Sequence, residues 1–204
     1  MDIAAEVAQK LLQIKAIKLS PQNPFTWASG IQSPIYCDNR KTLSYPSIRR
    51  FLAECFAEKS KAFGNINCIA GVATAGIAHG LLLAEELGLP FIYIRSKAKG
   101  HGMQNLIEGD IRGNERVLVV EDLISTGGSC LKAVQALEDY GCHVAGVLAI
   151  FTYGFAKAEK AFEEAECSFD TLSNYDALIQ RAVEIEYIQE DQVEFLKNWR
   201  AEVG

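Results

Sequence analysis

V-L-V-V-E-D-L-I-S-T-G-G-S, residues Val117 to Ser129, runs four apolar residues into two acids and then into a turn of hydroxyls and glycines. The apolar run is short enough to be a strand covered on both faces. The turn opens onto a helix-like stretch, Ser129 to Tyr140, closed by Gly141. In open α/β sheets ligands bind beyond the carboxyl ends of the strands. Gly127 and Gly128 let the backbone approach an anion, and the free N–H groups and dipole of the following helix favour a phosphate there. Ser125, Thr126 and Ser129 add hydroxyl donors. Glu121 and Asp122 repel that phosphate, but they can accept hydrogen bonds from sugar hydroxyls beside it. The segment therefore suggests a site for a phosphorylated sugar. Acids and hydroxyls before a helix also serve as ordinary caps; a cap needs one such residue, whereas five polar residues here surround two glycines. The string lacks the G-K-[ST] of a nucleotide P-loop, and no G-x-G-x-x-G occurs in the chain.

Outward from this segment, further apolar runs at Cys68 to Val72, Phe91 to Ile94 and Val144 to Phe151 have the length of covered strands. Between them Ile77 to Leu87, closed by Gly88 and Pro90, is helix-like. Strands alternating with helices predict an α/β fold with a doubly wound, mostly parallel sheet. Before this core, Ala4, Val7, Leu11 and Ile14 fall at helical spacing, and the breakers Ser20-Pro21-Gln22-Asn23-Pro24 end the pattern. Phe25 to Arg40 is a loop and short-strand excursion, and Pro46 starts a second helix with an apolar stripe at Ile48, Phe51, Leu52, Cys55 and Phe56. Two more helices are expected from Tyr175 onward. With no repeat and no linker, residues 1–204 are expected to form a single domain.

A chain that is 49% hydrophobic and 23% charged, with mean hydropathy near zero, belongs with globular proteins. Its formal charge of −6 argues against nucleic acid as a partner, which demands a basic face, so any anion must meet a local cationic cluster. The six cysteines form no C-x-x-C pair, which suggests reduced thiols in the cytoplasm and no zinc site. The N-terminus, with Asp2 and Glu6, has the pattern of neither a signal peptide nor a membrane span, and no membrane partner is expected. His79 within a helix, His143 at a strand start, and Trp27 and Trp199 are expected to be packing or surface residues.

The cationic cluster follows the strand ending at Ile94: R-S-K-A-K-G-H-G carries Arg95, Lys97, Lys99 and His101, with Gly100 and Gly102 beside the histidine. Alone, such a run reads equally as a solvated connection. Beside a sugar-phosphate site it reads as a lid that would stabilise a departing anion and exclude water.

The strand, acid pair and Thr/Ser-Gly turn resemble the signature with which type I phosphoribosyltransferases bind 5-phosphoribosyl-1-pyrophosphate (PRPP), and the basic loop resembles the catalytic loop of orotate phosphoribosyltransferases. The resemblance extends back to F-T-W-A-S-G and S-P-I-Y-C-D-N-R and covers roughly Phe25 to Tyr153. It implies a transferase that joins the phosphoribosyl group of PRPP to orotate with Mg²⁺, releasing pyrophosphate and feeding pyrimidine synthesis. It further implies a small hood built from residues 1–45 and the C-terminal tail, and a homodimer whose loops close over the neighbouring subunit's site. Carried over by position, Glu121 and Asp122 face the ribose, and the stretch Glu121, Asp122, Leu123, Ile124, Ser125, Thr126, Gly127, Gly128 and Ser129 receives PRPP. Arg95, Lys99 and His101 meet its pyrophosphate. Lys99 and the acid pair are the catalytic candidates, and no residue is a direct metal ligand. A further family lysine falls on Ser96, with Lys97 next to it. A family lysine is Ala28 here, a Tyr-Lys pair of the pyrophosphate-facing turn is Thr74-Ala75, and an orotate-contacting arginine is Tyr153, which leaves orotate to Ser125, Tyr36 and Arg40. Packing for Tyr36 and a surface ion pair for Arg40 are the plainer alternatives. A purine transferase of the same fold would carry a different base-binding segment and no R-x-x-x-K-x-H-G loop, and a non-catalytic PRPP sensor would have lost the basic lid.

Overall fold

The computed structural model describes residues 2–27, 29–97 and 106–204. Its centre is a six-stranded sheet in the order β10-β9-β8-β5-β6-β7, formed by β5 (Cys68–Val72), β6 (Phe91–Ile94), β7 (Ile107–Glu108), β8 (Arg116–Ile124), β9 (His143–Thr152) and β10 (Phe169–Asn174). Every pairing is parallel except β6 with β7. β5 is buried at all five positions, as its apolar sequence requires of a strand covered on both faces. Along β8, Leu118 and Val120 enter one core with α2 (Pro46–Ser60) and α3 (Ala75–Leu87), while Val117 and Val119 enter the other with α4 (Gly128–Tyr140) and α5 (Ala156–Glu164). The sheet is thus sandwiched between helical layers, as the alternation predicts.

α3 reaches the sheet closely because its first turn carries glycine: a Cβ on Gly76 would stand 2.3 Å from the Val120 carbonyl oxygen. This contact has a further result. β5 pairs with β8 only as far as Gly71 opposite Val120, and then the chain turns into α3. β8 continues four residues more, paired only with β9 through Glu121–Ala149, Leu123–Phe151 and Ile124–Thr152. The acid pair therefore lies within the strand and not after it, where the loss of a neighbour opens a crevice.

The amino-terminal excursion contains two small antiparallel pairs, β1 (Ile17–Leu19) with β4 (Ile35–Cys37) and β2 (Phe25–Thr26) with β3 (Gln32–Ser33). α1 (Ile3–Gln13) stops well before the Ser20-Pro21 breakers, because Lys15 takes φ 55° and the next residues pair as β1. α6 (Tyr175–Glu184) and α7 (Val193–Val203) are the two helices expected in the tail. α7 is tied to the β2–β3 hairpin by the Trp199 indole, which donates to the Gln32 carbonyl at 2.9 Å and meets Trp27 edge-on at 5.7 Å between centroids. β10 and α5 were not expected. β10 is an edge strand with one partner, so Asp170, Thr171 and Ser173 are tolerated and the apolar run that marks a central strand is missing.

Candidate active site

Glu121 and Asp122 are consecutive on β8, and their carboxyls come within hydrogen-bonding reach of each other. Glu121 turns toward α4: one carboxylate oxygen accepts the Asp122 N–H at 3.0 Å and the other the Ser129 hydroxyl at 3.3 Å. Only 5% of Glu121 is exposed. Burial, reinforced by the Asp122 charge, raises its pKa to about 8. Asp122 is half-buried, its backbone carbonyl accepts the Asn39 amide at 2.7 Å, and the charges around it are Arg40 and Asp38. Its pKa is also raised, first by burial.

This state of Glu121 has a measurable consequence. In the unfolded chain the group ionises around 4.5, whereas in the fold it keeps its proton to about pH 8. A raised carboxyl pKa means the folded state binds the proton more tightly, so this group's contribution to stability falls as pH rises from the lower value to the higher and then levels. Glu121→Gln is always neutral and escapes that loss. Its melting temperature relative to the parent should be level near about pH 5 and pull ahead by several degrees near about pH 9. A gap that does not change with pH would refute the raised ionisation.

After Ile124 the chain turns through Ser125 and Thr126 to Gly127, whose φ of +80° suits glycine and which precedes α4 without any side-chain cap. The first N–H groups of α4 therefore have no intrahelical partner and face the turn with the positive end of the helix dipole. Thr126, Gly128 and Ser129 are exposed, and Ser125 is half-buried. Ile124 differs: its side chain is sealed in the core and its carbonyl accepts the Thr152 hydroxyl at 3.0 Å.

Beside the acids lies a cavity of about 310 Å³ lined by Thr26, Trp27, Tyr36, Cys37, Leu123, Ser125 and Tyr153. Residues far apart in sequence thus meet here, from the excursion, the acid strand and the end of β9. Tyr36 is 38% exposed and lines the cavity with its ring 5.8 Å from Phe25. Arg40 does not line it: its side chain is 65% exposed and its Nε pairs with Asp38 at 2.6 Å, the surface ion pair that was the plainer expectation. Trp27, taken as a packing anchor, is also a cavity wall. Tyr153, which the resemblance puts at the position of an orotate-contacting arginine but which was not itself named as a contact, is a wall of the cavity, as is Cys37, which was not expected in it.

A second cavity of about 440 Å³ is lined by Arg95, Ser96, Leu106, Ser129 and Lys132, among others. Arg95 pairs with Glu108 at 3.0 Å across the β6–β7 connection. Lys97 is exposed. Lys99 and His101 lie outside the described residues, as does Ala28. His79 is buried between α3 and the excursion, and His143 is exposed at the start of β9. Among the described residues no helix is long and apolar enough to cross a membrane.

Residues 40–184 match the phosphoribosyl transferase domain family. An orotate phosphoribosyltransferase of Phocaeicola vulgatus is 57% identical over 194 residues, covering 95% of this chain and 92% of that protein. One of Listeria monocytogenes is 54% identical over 201 residues, covering 98% and 96%. The crystal structure of orotate phosphoribosyltransferase from Aeropyrum pernix superposes with a TM-score of 0.77 at 25% identity, over 90% of this chain and 99% of that one. Identity above one half across nearly the whole chain, with a family match over residues 40–184, makes this protein a member of the phosphoribosyltransferase family, in its orotate phosphoribosyltransferase branch.

Proposed function

We propose that the chain transfers the 5-phosphoribosyl group of PRPP to N1 of orotate, giving orotidine 5′-monophosphate and pyrophosphate for pyrimidine synthesis. One observation carries this reading: the acid pair, the uncapped start of α4 and a heterocycle-sized cavity meet where β8 outruns β5. The C1–O bond to pyrophosphate breaks as the C1–N1 bond forms and N1 gives up its proton to water or the departing pyrophosphate, so positive charge develops on the ribose and negative charge on the leaving group. The turn Ser125 to Ser129 receives the 5-phosphate with its N–H groups and hydroxyls. Asp122 accepts from the ribose hydroxyls and, when ionised, favours the positive charge, while Glu121, which holds its proton to about pH 8, orients the ribose by hydrogen bonding. Arg95, Lys99 and His101 meet the pyrophosphate.

Mg²⁺ would suit this site: Glu121 and Asp122 would hold it indirectly, through the ribose hydroxyls and water. When bound, it neutralises leaving-group charge. The working form is a homodimer with shared sites, in the cytoplasm, where the six free thiols suit a reducing compartment. Its partners are small anions, in keeping with a net charge of −6. The test is to incubate the protein with PRPP and Mg²⁺ and, separately, orotate, uracil, hypoxanthine and adenine, and to measure nucleotide and pyrophosphate. Turnover with orotate, abolished by chelation, is expected; turnover only with a purine would replace this reading by the purine one, and PRPP binding without turnover by that of a sensor.

Among the described residues the cavity wall carries no cationic side chain, so the orotate anion is met there by neutral donors, Ser125 and Tyr36 first. Tyr153 is a third. Its ring is held between Trp27 and Phe155, with centroids at 5.3 and 5.2 Å, and burial keeps its hydroxyl protonated. A hydrogen bond to a charged group is worth about 1.5–3 kcal/mol, or roughly 10- to 100-fold in affinity. Tyr153→Phe should therefore weaken binding of orotidine 5′-monophosphate by about tenfold and leave that of UMP, which lacks the carboxylate, unchanged. Equal losses for both nucleotides in titration calorimetry would remove Tyr153 from carboxylate recognition.

A further inference from the structure

The backbone turn Asn39–Ser44, which follows the cavity walls Tyr36 and Cys37, is pinned to the core by buried polar contacts that the reading above does not use. Asn39 and Thr42 are fully buried and His79 is 1% exposed. The Asn39 amide donates to the Asp122 carbonyl at 2.7 Å, and the Thr42 hydroxyl donates to the Asn39 carbonyl at 2.6 Å. With its proton so committed, the Thr42 oxygen can only accept from His79 Nε2 at 3.2 Å. His79 therefore carries a proton on Nε2, and burial, which lowers its pKa to about 4, keeps the ring neutral. The chain of contacts runs from α3 through the turn to β8.

Asn39 does this at a cost. Its side-chain oxygen is buried with no hydrogen-bond partner, the one such side-chain atom among the described residues. An unpaired buried acceptor costs about 1–3 kcal/mol, and an apolar side chain of similar size would avoid that. Retention of the amide is explained if its donor has a task that packing cannot perform. The acceptor it reaches belongs to the acid that meets the ribose, at the point where β8 has lost β5 as a neighbour and has no ladder bond on that side.

We propose that Asn39 is a positioning residue for Asp122: its amide replaces the missing strand on the open side of β8 and sets the distance between the ribose acid and the cavity walls Tyr36 and Cys37. This rests on the reading of Asp122 as the ribose acid. Displacement of a positioned group by about 1 Å can cost on the order of 100-fold in rate. Asn39→Leu should raise KM for PRPP and lower kcat, with kcat/KM down at least tenfold and the melting temperature within a few degrees of the parent.

Asn39→Asp supplies a sharper test. Its carboxyl would be buried among Asp38 and Arg40 in the turn, Cys37 on β4, Asp122 on β8 and His79 on α3. A buried carboxyl keeps its proton above the usual range, and when protonated it can donate to the Asp122 carbonyl as the amide does. Once ionised it repels that carbonyl. The kcat/KM of Asn39→Asp, divided by that of the parent at each pH, should climb as pH falls from about 9 to about 6. The division cancels the titration of the parent's own groups. Ile179→Val on α6, a core change remote from the site, serves as the control that loses stability and keeps its kinetics. Should Asp122→Asn itself leave kcat and KM untouched, the ribose reading falls. If Asp122→Asn is damaging while both Asn39 variants stay within about threefold of the parent, or the Asn39→Asp ratio is flat with pH, the positioning role falls. Asn39→Asp keeps the side-chain volume, so the test survives if Asn39→Leu fails to fold.

Discussion

Lys99→Ala should lower kcat by about 10²- to 10³-fold while raising KM for PRPP much less, because removal of one stabilising donor from a developing charge has an effect of that size. The reason is the timing of charge. In bound PRPP the pyrophosphate is esterified to C1, and only as the C1–O bond breaks does its full charge appear. A cation placed for that moment stabilises the transition state more than the ground state, and such an interaction shows in kcat. Lys99 follows Arg95, which lines the second cavity together with Ser129 and Lys132 from the start of α4. On the far side of the segment, Glu108 pairs with Arg95 and the Leu106 carbonyl accepts the Arg95 N–H at 2.8 Å, so both ends of the basic loop are fixed at the mouth of the site. Steady-state kinetics with PRPP varied at saturating orotate separate the two parameters. A loss confined to KM would make Lys99 a ground-state anchor and leave the leaving group to Arg95 and His101.

What the sequence made legible, and what it left hidden, follow from the range of the interactions concerned. The sheet was legible because buried parallel strands must be apolar without interruption, and β5 and β6 match the runs Cys68–Val72 and Phe91–Ile94 residue for residue. The turn before α4 was legible as a structure because it is local: the glycines, the hydroxyls and the helix that follows are contiguous. The reach of β8 through its acids was not, since it depends on pairing with β9 twenty-eight residues further on, as Glu121 opposite Ala149 shows. The cavity draws Thr26, Tyr36, Leu123 and Tyr153 from four places in the chain; the resemblance marked position 153 by the arginine it lacks, and no local pattern marked the tyrosine itself as a wall. Arg40 was an expected orotate contact, yet Asp38 two residues earlier holds it at the surface. A nearby acid in sequence competes for an arginine, and spacing alone does not say which partner wins. Asn39 lies inside the quoted S-P-I-Y-C-D-N-R, but its partner is eighty-three residues away.

Mixing two damaged proteins should restore activity that neither has alone, if the working unit is a dimer with shared sites. Asp122→Asn removes a charged acceptor of the ribose hydroxyls, and loss of such a hydrogen bond costs about 1.5–3 kcal/mol, or roughly 10- to 100-fold in kcat/KM. Lys99→Ala damages the loop and leaves the acid pair intact. When the loop of one subunit closes over the acid strand of the other, a mixed dimer holds two unlike sites. One site joins an intact acid pair to an intact loop, and the other carries both lesions. Random reassociation makes half the dimers mixed, each with one good site of two, so roughly a quarter of parental activity should return. This exceeds the residue left by either variant, and the yield should track the fraction of mixed dimers counted by native mass spectrometry. If each loop serves its own subunit, every site in a mixed dimer carries one lesion and nothing is regained. Activity that stays near zero with mixed dimers at half the population would therefore assign Lys99 and Asp122 of one site to one chain.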